Sequence, residues 1–171
     1  MGLIHIYCGD GKGKTTASLG LALRASGRGM RVHIVQLLKG CDTGELSSLK
    51  ALPNITCTRL KETPKFSYQM SDDEKAYVTK CHNELLENVK EMLDDIDLLI
   101  IDEFNSAYQL GLVDKTLADE MVLNKPEHLE LVLTGCNPDK KFVDVCDYLS
   151  EIKAIKHPYN KGITARKGIE Y

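Results

Sequence analysis

The chain has no tryptophan, only three phenylalanines and five prolines. It has no Cys-x-x-Cys pair, no apolar run long enough to cross a bilayer and no basic excess. Each absence removes a class of function. Cys8, Cys41, Cys57, Cys81, Cys136 and Cys146 are scattered, so they read as buried thiols of a reducing compartment rather than a disulfide framework or zinc site. With 22 Lys and Arg against 25 Asp and Glu, the net charge of -3 argues against a nucleic-acid binder. The start, Met1-Gly2-Leu3-Ile4-His5-Ile6, lacks the charged region and cleavage pattern of a signal peptide. No Ser or Thr completes a myristoylation signal after Gly2. The expectation is a cytoplasmic protein with neither nucleic acid nor membrane as partner. Its 171 residues suit one domain, 1–171, with no repeat, linker or low-complexity tract.

What is present alternates between strand and helix. Leu3 to Cys8 is a short apolar run, stopped by Gly9-Asp10-Gly11. Lys14 to about Arg28 suits a helix, with Ala17, Leu21 and Ala25 at four-residue spacing and Gly27 and Gly29 beyond. Arg31 to Leu38 and Ile55 to Leu60 read as strands, separated by a polar stretch that Pro53 closes. Lys61 to Met70 reads as loop. Ser71 with Glu74 three residues on forms a helix start, and that helix is expected to run to Leu93. Asp97 to Ile101 and Leu129 to Thr134 are strands of the kind buried on both faces. Pro138 to Tyr148 reads as helix and Leu149 to Ile155 as a last strand, before a basic, Gly-broken ending. The alternation predicts an α/β fold with a parallel sheet covered on both faces. Ligands of such sheets sit at the carboxyl ends of the strands. The loops after Cys8, Leu38, Ile101 and Thr134 should therefore share one edge.

The first of those loops carries the strongest chemistry. Gly9-Asp10-Gly11-Lys12-Gly13-Lys14-Thr15-Thr16 joins strand to helix. Glycines allow backbone N–H groups to turn inward as an anion nest, and the helix adds its N-terminal dipole. Lys14 can reach a phosphate, and the Thr15 hydroxyl can bind a magnesium ion shared with phosphate oxygens. Cys8 stands where the full phosphate-loop pattern has its first glycine. Leu98-Leu99-Ile100-Ile101-Asp102-Glu103 supplies the usual partner, an apolar strand ending in acids that hold magnesium directly or through water. Neighbouring residues of a strand face opposite ways, so one of Asp102 and Glu103 is expected to be the direct metal contact.

These motifs resemble the P-loop ATP:corrinoid adenosyltransferases. The likeness is carried by GDGKGKTTA, by VQLLKG (Val35 to Gly40) with TGE behind it (Thr43 to Glu45), and by DLLIIDE. LTG (Leu133 to Gly135) and the ending IKHPYNKGITARKGIEY extend it, from Ile4 to Tyr171. The resemblance implies a P-loop NTPase-like (RecA-like) three-layer sandwich with a mostly parallel central sheet. It implies ATP and a corrinoid as substrates and Mg2+ as cofactor. Co(I) would attack the 5′ carbon of ATP, so that the adenosyl group moves to cobalt and triphosphate leaves. Residues 9–16 would bind ATP, with Lys14, Thr15 and Glu103 as the catalytic set, and Glu103 is the favoured metal contact. Phe66 and Tyr68 fall where some members place Phe-x-Trp against the corrin. Loop anchors and a corrin-facing role are both open for these rings. A reductase partner and a homodimer are open too.

The chain departs from the family's pattern in several places. Cys136 follows Thr134-Gly135 where members often carry Arg, and Asp10 replaces Asn. Asp10 could accept ribose hydroxyl bonds but would repel a phosphate. The chain also starts near its first strand, without the extension that some members fold over the corrinoid. These differences keep a second class in view, an ATP-binding regulator or corrinoid-binding module without efficient transfer. A nucleotide kinase is a third reading, disfavoured because no Arg-rich lid is evident. Lys156, Lys161, Arg166 and Lys167 read as a solvated tail, His157 as a structural histidine, and Glu45 as a substrate or loop-shape residue.

Overall fold

A computed structural model of the chain describes residues 1–40, 42–62, 65 and 67–170. Six strands pair in parallel in the order β3-β2-β4-β5-β1-β6. They are β1 (Ile4–Cys8), β2 (Val32–Gln36), β3 (Ile55–Arg59), β4 (Leu98–Asp102), β5 (Glu130–Thr134) and β6 (Tyr148–Glu151). Every residue of β2 and β4 is buried, as continuous apolar runs between two helical layers require. The edge strand β6 is exposed along its whole length. This is the expected α/β arrangement, with every pairing in the sheet parallel.

The alternation of side chains along each strand divides the core into two faces. Val32, Ile34, Leu98, Ile100 and Val132 pack with Ala22 and Ala25 of α1 (Lys14–Ser26) and Leu49 of α2 (Gly44–Leu49). Leu99, Ile101, Leu131 and Leu133 pack on the other side. There they meet residues of α3 (Asp72–Lys90), α4 (Phe104–Gln109), α5 (Lys115–Leu123) and α6 (Lys140–Val145). The result is three layers, and each fully buried Leu or Ile contributes about 1.5–3 kcal/mol. Phe104, Tyr108 and Phe142 cluster within the second face, with Phe142 tilted 5.5 Å from Phe104 and edge-on 5.0 Å from Tyr108.

Several elements differ in detail from the sequence reading. The buried stripe of α1 is Ser18, Ala22 and Ala25, rotated one residue from Ala17 and Leu21. Small side chains on that stripe let the helix lie close to the sheet. The Ser71–Glu74 capping box is present in both directions, but α3 stops at Lys90 and a short 3-10 turn spans Leu93–Asp95. The stretch read only as polar contains α2, and α4 and α5 occupy a region where no element was expected. The last helix is shorter than expected: Asp139 caps its start, its carboxylate accepting from the Lys141 N–H, and Cys146 turns extended at its end. The last strand covers Tyr148–Glu151 rather than 149–155.

Candidate active site

The loop strand β1 and the acid-bearing strand β4 are not neighbours, because β5 runs between them. The carboxyl ends of all three open on the same edge, where a cleft of about 430 Å³ lies over residues 11–16. Lys39, Gly44, Glu45, Glu103, Gly168, Ile169 and Glu170 close its other sides.

The loop is fastened to the chain beyond β6. Gly9 adopts a φ of 103°, and a Cβ there would stand 2.3 Å from the Ile152 carbonyl oxygen. Only glycine fits both the angle and the approach. The Gly11 N–H donates to Ile152 O at 2.8 Å, which uses one loop amide for anchoring. Asp10 extends the same tie, its Oδ1 accepting from the Ala154 N–H at 3.0 Å. The carboxylate expected beside a ribose is therefore engaged with neighbouring backbone. Asp10 lines a second cleft with Gly9, Cys136, Asn137, Glu151 and Lys153.

Inside the loop, Lys14 Nζ donates to Gly9 O at 2.7 Å and Gly11 O at 2.9 Å. Its ammonium is held against the loop's own carbonyls, from which a phosphate could draw it. Thr15 is the second residue of α1, and its hydroxyl donates to Asp102 Oδ1 at 2.8 Å. Asp102 is 1 % exposed. It also accepts from Thr134 Oγ1 at 2.6 Å and, on Oδ2, from Lys39 Nζ at 2.5 Å. Lys39 Nζ is at the same time 3.1 Å from Thr15 Oγ1. A cation thus sits between the hydroxyl and the carboxylate expected to hold magnesium, so this donor set is built to receive positive charge. No cluster of three or more His, Cys, Asp or Glu offers a metal site among the described residues. A phosphate-loop magnesium does not need one, since a hydroxyl, phosphate oxygens and waters supply most of its ligands.

Glu103 follows Asp102 in a left-handed conformation, φ 61° and ψ 19°, at the N-terminus of α4. Its N–H donates to Thr134 Oγ1 at 2.9 Å. The twist turns the chain so that Asp102 stays under the loop while Glu103 lines the cleft. Thr16 and Gly13 line the cleft as well.

Lys12 points away from the loop's interior. Its ammonium donates to Glu170 Oε1 at 2.9 Å and Ile169 O at 3.2 Å. Arg166 and then Lys12 hold the Glu170 carboxyl down to about 2. The basic ending is therefore only partly a solvated tail: Gly168, Ile169 and Glu170 form a wall of the cleft.

Cys136 lines the second cleft. Its Sγ donates to Gly9 O at 3.2 Å, and its N–H donates to Ser106 Oγ at 3.0 Å. Tyr68 is 80 % exposed in the 3-10 turn Ser67–Gln69 and is not among the residues lining either cleft. Phe66 lies outside the described residues. The sequence reading assigned no role to Lys39, Thr134 or Glu170. All three stood in quoted motifs: Thr134 ends β5, Lys39 lies three residues beyond β2, and Glu170 belongs to the chain's ending.

An anion-nest loop, a following helix and a buried acid two strands away define the P-loop nucleotide-binding class. Comparison with known proteins narrows that class. Residues 1–171 match the family described as ATP:corrinoid adenosyltransferase BtuR/CobO/CobP, and the chain belongs to that family. It is similar to the corrinoid adenosyltransferase of Pseudomonas aeruginosa, at 29% identity over 99% of this chain and 84% of the relative. It is similar to that of Escherichia coli K12 at 29%, over 99% and 86%. It also matches the corrinoid adenosyltransferase CobA of Salmonella typhimurium at 32% identity, again over 99% and 86%. No helix among the described residues is long and apolar enough to cross a membrane.

Proposed function

We propose that residues 1–171 act as one nucleotide-binding domain that transfers the 5′-deoxyadenosyl group of ATP to the Co(I) of a corrinoid. The transfer serves adenosylcobalamin synthesis or salvage in the cytoplasm. Cobalt supplies the electron pair for a new cobalt–carbon bond, the bond from C5′ to the α-phosphate oxygen breaks, and triphosphate leaves with that oxygen. Co(I) is itself the nucleophile, so the protein needs no general base. Its task is to stabilise charge on the leaving triphosphate and to hold C5′ in line.

One observation supports this most: Lys14, Thr15, Asp102 and Lys39 converge at the base of a single cleft. Lys14 would leave the carbonyls of Gly9 and Gly11 for the triphosphate, beside the free loop amides. Thr15, Asp102 and Glu103 would hold Mg2+, which supplies charge neutralisation of the phosphates. Asp102 would act behind the Thr15 hydroxyl and Glu103 from the cleft wall. The corrinoid would lie across the open edge, with Phe66 and Tyr68 toward its lower face. A reductase would deliver the cobalt in its reduced state, and the chain would work as a homodimer.

The test mixes protein, ATP, magnesium and chemically reduced cobalamin and identifies the phosphate product. Triphosphate in step with adenosylcobalamin is expected. ADP would mark a kinase or ATPase, and tight ATP binding without product would mark a regulator.

A further inference from the structure

Lys39 holds the position where a phosphate-loop cation is needed, and the chain is bent to put it there. Asp102 is 1 % exposed, and a carboxylate that buried requires a partner cation. Lys14 does not serve, because its ammonium is on the carbonyls of Gly9 and Gly11. Lys39 does, at 2.5 Å from Asp102 Oδ2 and 3.1 Å from the Thr15 hydroxyl. Its side chain keeps 25% of its exposure and lines the cleft, so it borders the space a phosphate would enter.

The approach is set by the turn after β2. Leu38 adopts a φ of 58°, in the left-handed region that a leucine rarely occupies. Two hydrogen bonds hold it there. The Leu37 N–H donates to Asp102 O at 3.1 Å, and the Leu38 N–H donates to His82 Nε2 at 3.1 Å. His82 can accept because its Nδ1–H donates to Leu112 O at 2.8 Å, which leaves the Nε2 lone pair free. A buried histidine, a strained leucine and a backbone bond to Asp102 itself thus aim one lysine at the loop threonine and the strand acid.

We infer that Lys39 is a built-in counter-cation for the metal position, neutralising Asp102 in the nucleotide-free protein and moving onto the triphosphate when magnesium and nucleotide arrive. The exchange conserves charge balance at a buried acid throughout the cycle. A divalent ion held through Thr15 takes over the neutralisation of Asp102, and the released ammonium remains within the cleft. There it adds a charge-assisted contact to the leaving group. Free metal alone gains little, since it must first displace a bonded ammonium. Metal with polyphosphate gains, since the ammonium then has a new anion to meet. The site would thereby favour the metal–nucleotide complex over metal alone. This rests on the proposed metal position at Thr15 and Asp102, but its test needs no corrinoid.

The experiment compares wild type, Lys39→Met and Lys39→Arg by thermal melting, with magnesium chloride alone and with magnesium plus inorganic triphosphate. Wild type should shift by less than about 1 °C with millimolar magnesium alone. Lys39→Met should melt about 5 °C or more below wild type, because it strands the Asp102 charge. Magnesium alone should then restore about 5 °C of that loss by taking the vacated position. Triphosphate affinity measured calorimetrically with magnesium should fall about tenfold in Lys39→Met and largely recover in Lys39→Arg. A Lys39→Met protein no more responsive to magnesium alone than wild type would overturn the inference. If Lys39→Met does not fold, wild type decides it: a crystal structure with magnesium and inorganic triphosphate should show Lys39 Nζ on a phosphate oxygen. Nζ still bonded to Asp102 Oδ2 beside bound metal would refute the exchange. Either refutation leaves the transfer reaction standing. Conversely, an absence of triphosphate production from ATP and reduced cobalamin would remove the transfer reading without touching the metal response.

Discussion

The Thr134 hydroxyl donates to Asp102 Oδ1 at 2.6 Å, and its Oγ1 accepts from the Glu103 N–H at 2.9 Å. Thr134 ends β5, the strand lying between the loop strand and the acid strand. It therefore braces from below an acid that serves a loop two strands away. Thr134→Val keeps the shape, leaves Asp102 Oδ1 with the Thr15 hydroxyl as its remaining donor and strands the Glu103 N–H. The expected loss is about 2–3 kcal/mol of unfolding free energy in denaturant titrations. Thr134→Ser should recover most of it. A valine variant as stable as wild type would show that the brace carries no stability.

Lys14→Ala and Thr15→Ala remove the two side chains that the loop offers to a metal–phosphate complex. Each should slow triphosphate release from ATP and reduced cobalamin by about ten- to a thousandfold. Lys14→Ala should leave the melting temperature little changed, whereas Thr15→Ala should lower it, because it removes a donor to the buried Asp102. Thr15→Ser keeps the hydroxyl and should retain most of the rate. Unchanged turnover in both alanine variants would separate this loop from the reaction.

Much of this frame is legible in local sequence, and the reasons for the remainder are physical. β4 shows itself because a strand covered on both faces must be apolar at every position, as Leu98 to Ile101 are. The start of α3 shows itself because a capping box needs only Ser71 and Glu74. Helices α2, α4 and α6 have six residues each, under two turns, too few to display a period. α5 did carry a signal, the Asp114 cap whose carboxylate accepts from the Leu117 N–H. The partners of Lys39 could not be read in this way. Thr15 and Asp102 lie 24 and 63 residues distant, and strand order alone brings them together. Asp10 shows the opposite case: its chemistry suits a ribose, yet a tie to Ala154 takes it.

Two buried histidines set a pH limit. His33 is 2% exposed between the hydroxyls of Thr56 and Thr58, and His82 is fully buried against Leu38 and Leu112. Burial lowers the pKa of both. In the unfolded chain they take up protons near pH 6.5, while the folded protein resists until lower pH. Their contribution is therefore fully present above about pH 6.5 and is lost as pH falls from there through the lower folded values. Unfolding free energy should drop between pH 7 and 5.5 with a limiting slope of about 1.4 kcal/mol per pH unit for each histidine. His82→Gln should remove its share of that slope. A flat profile in wild type would contradict the burial argument.

Asp102 and Glu103 are adjacent acids that should respond oppositely to the same loss of charge. Asp102 is buried and accepts from Thr15, Thr134 and Lys39. Asp102→Asn presents an amide to three donors and leaves Lys39 facing no charge, which should cost about 3–5 kcal/mol of stability. Glu103 lines the open cleft, so Glu103→Gln should leave the melting temperature within a degree or so of wild type. Its effect should appear instead in the magnesium titration of triphosphate release, moved to higher metal concentration if the carboxylate supports the ion from the cleft wall. Glu103→Gly provides the control for backbone. It relieves the left-handed angle of 61° at this position. Stability should then hold or rise slightly, while the magnesium curve shifts as it does for Gln. Should both glutamate variants keep the wild-type curve, Glu103 has no part in metal binding, and the metal position rests on Thr15 and Asp102.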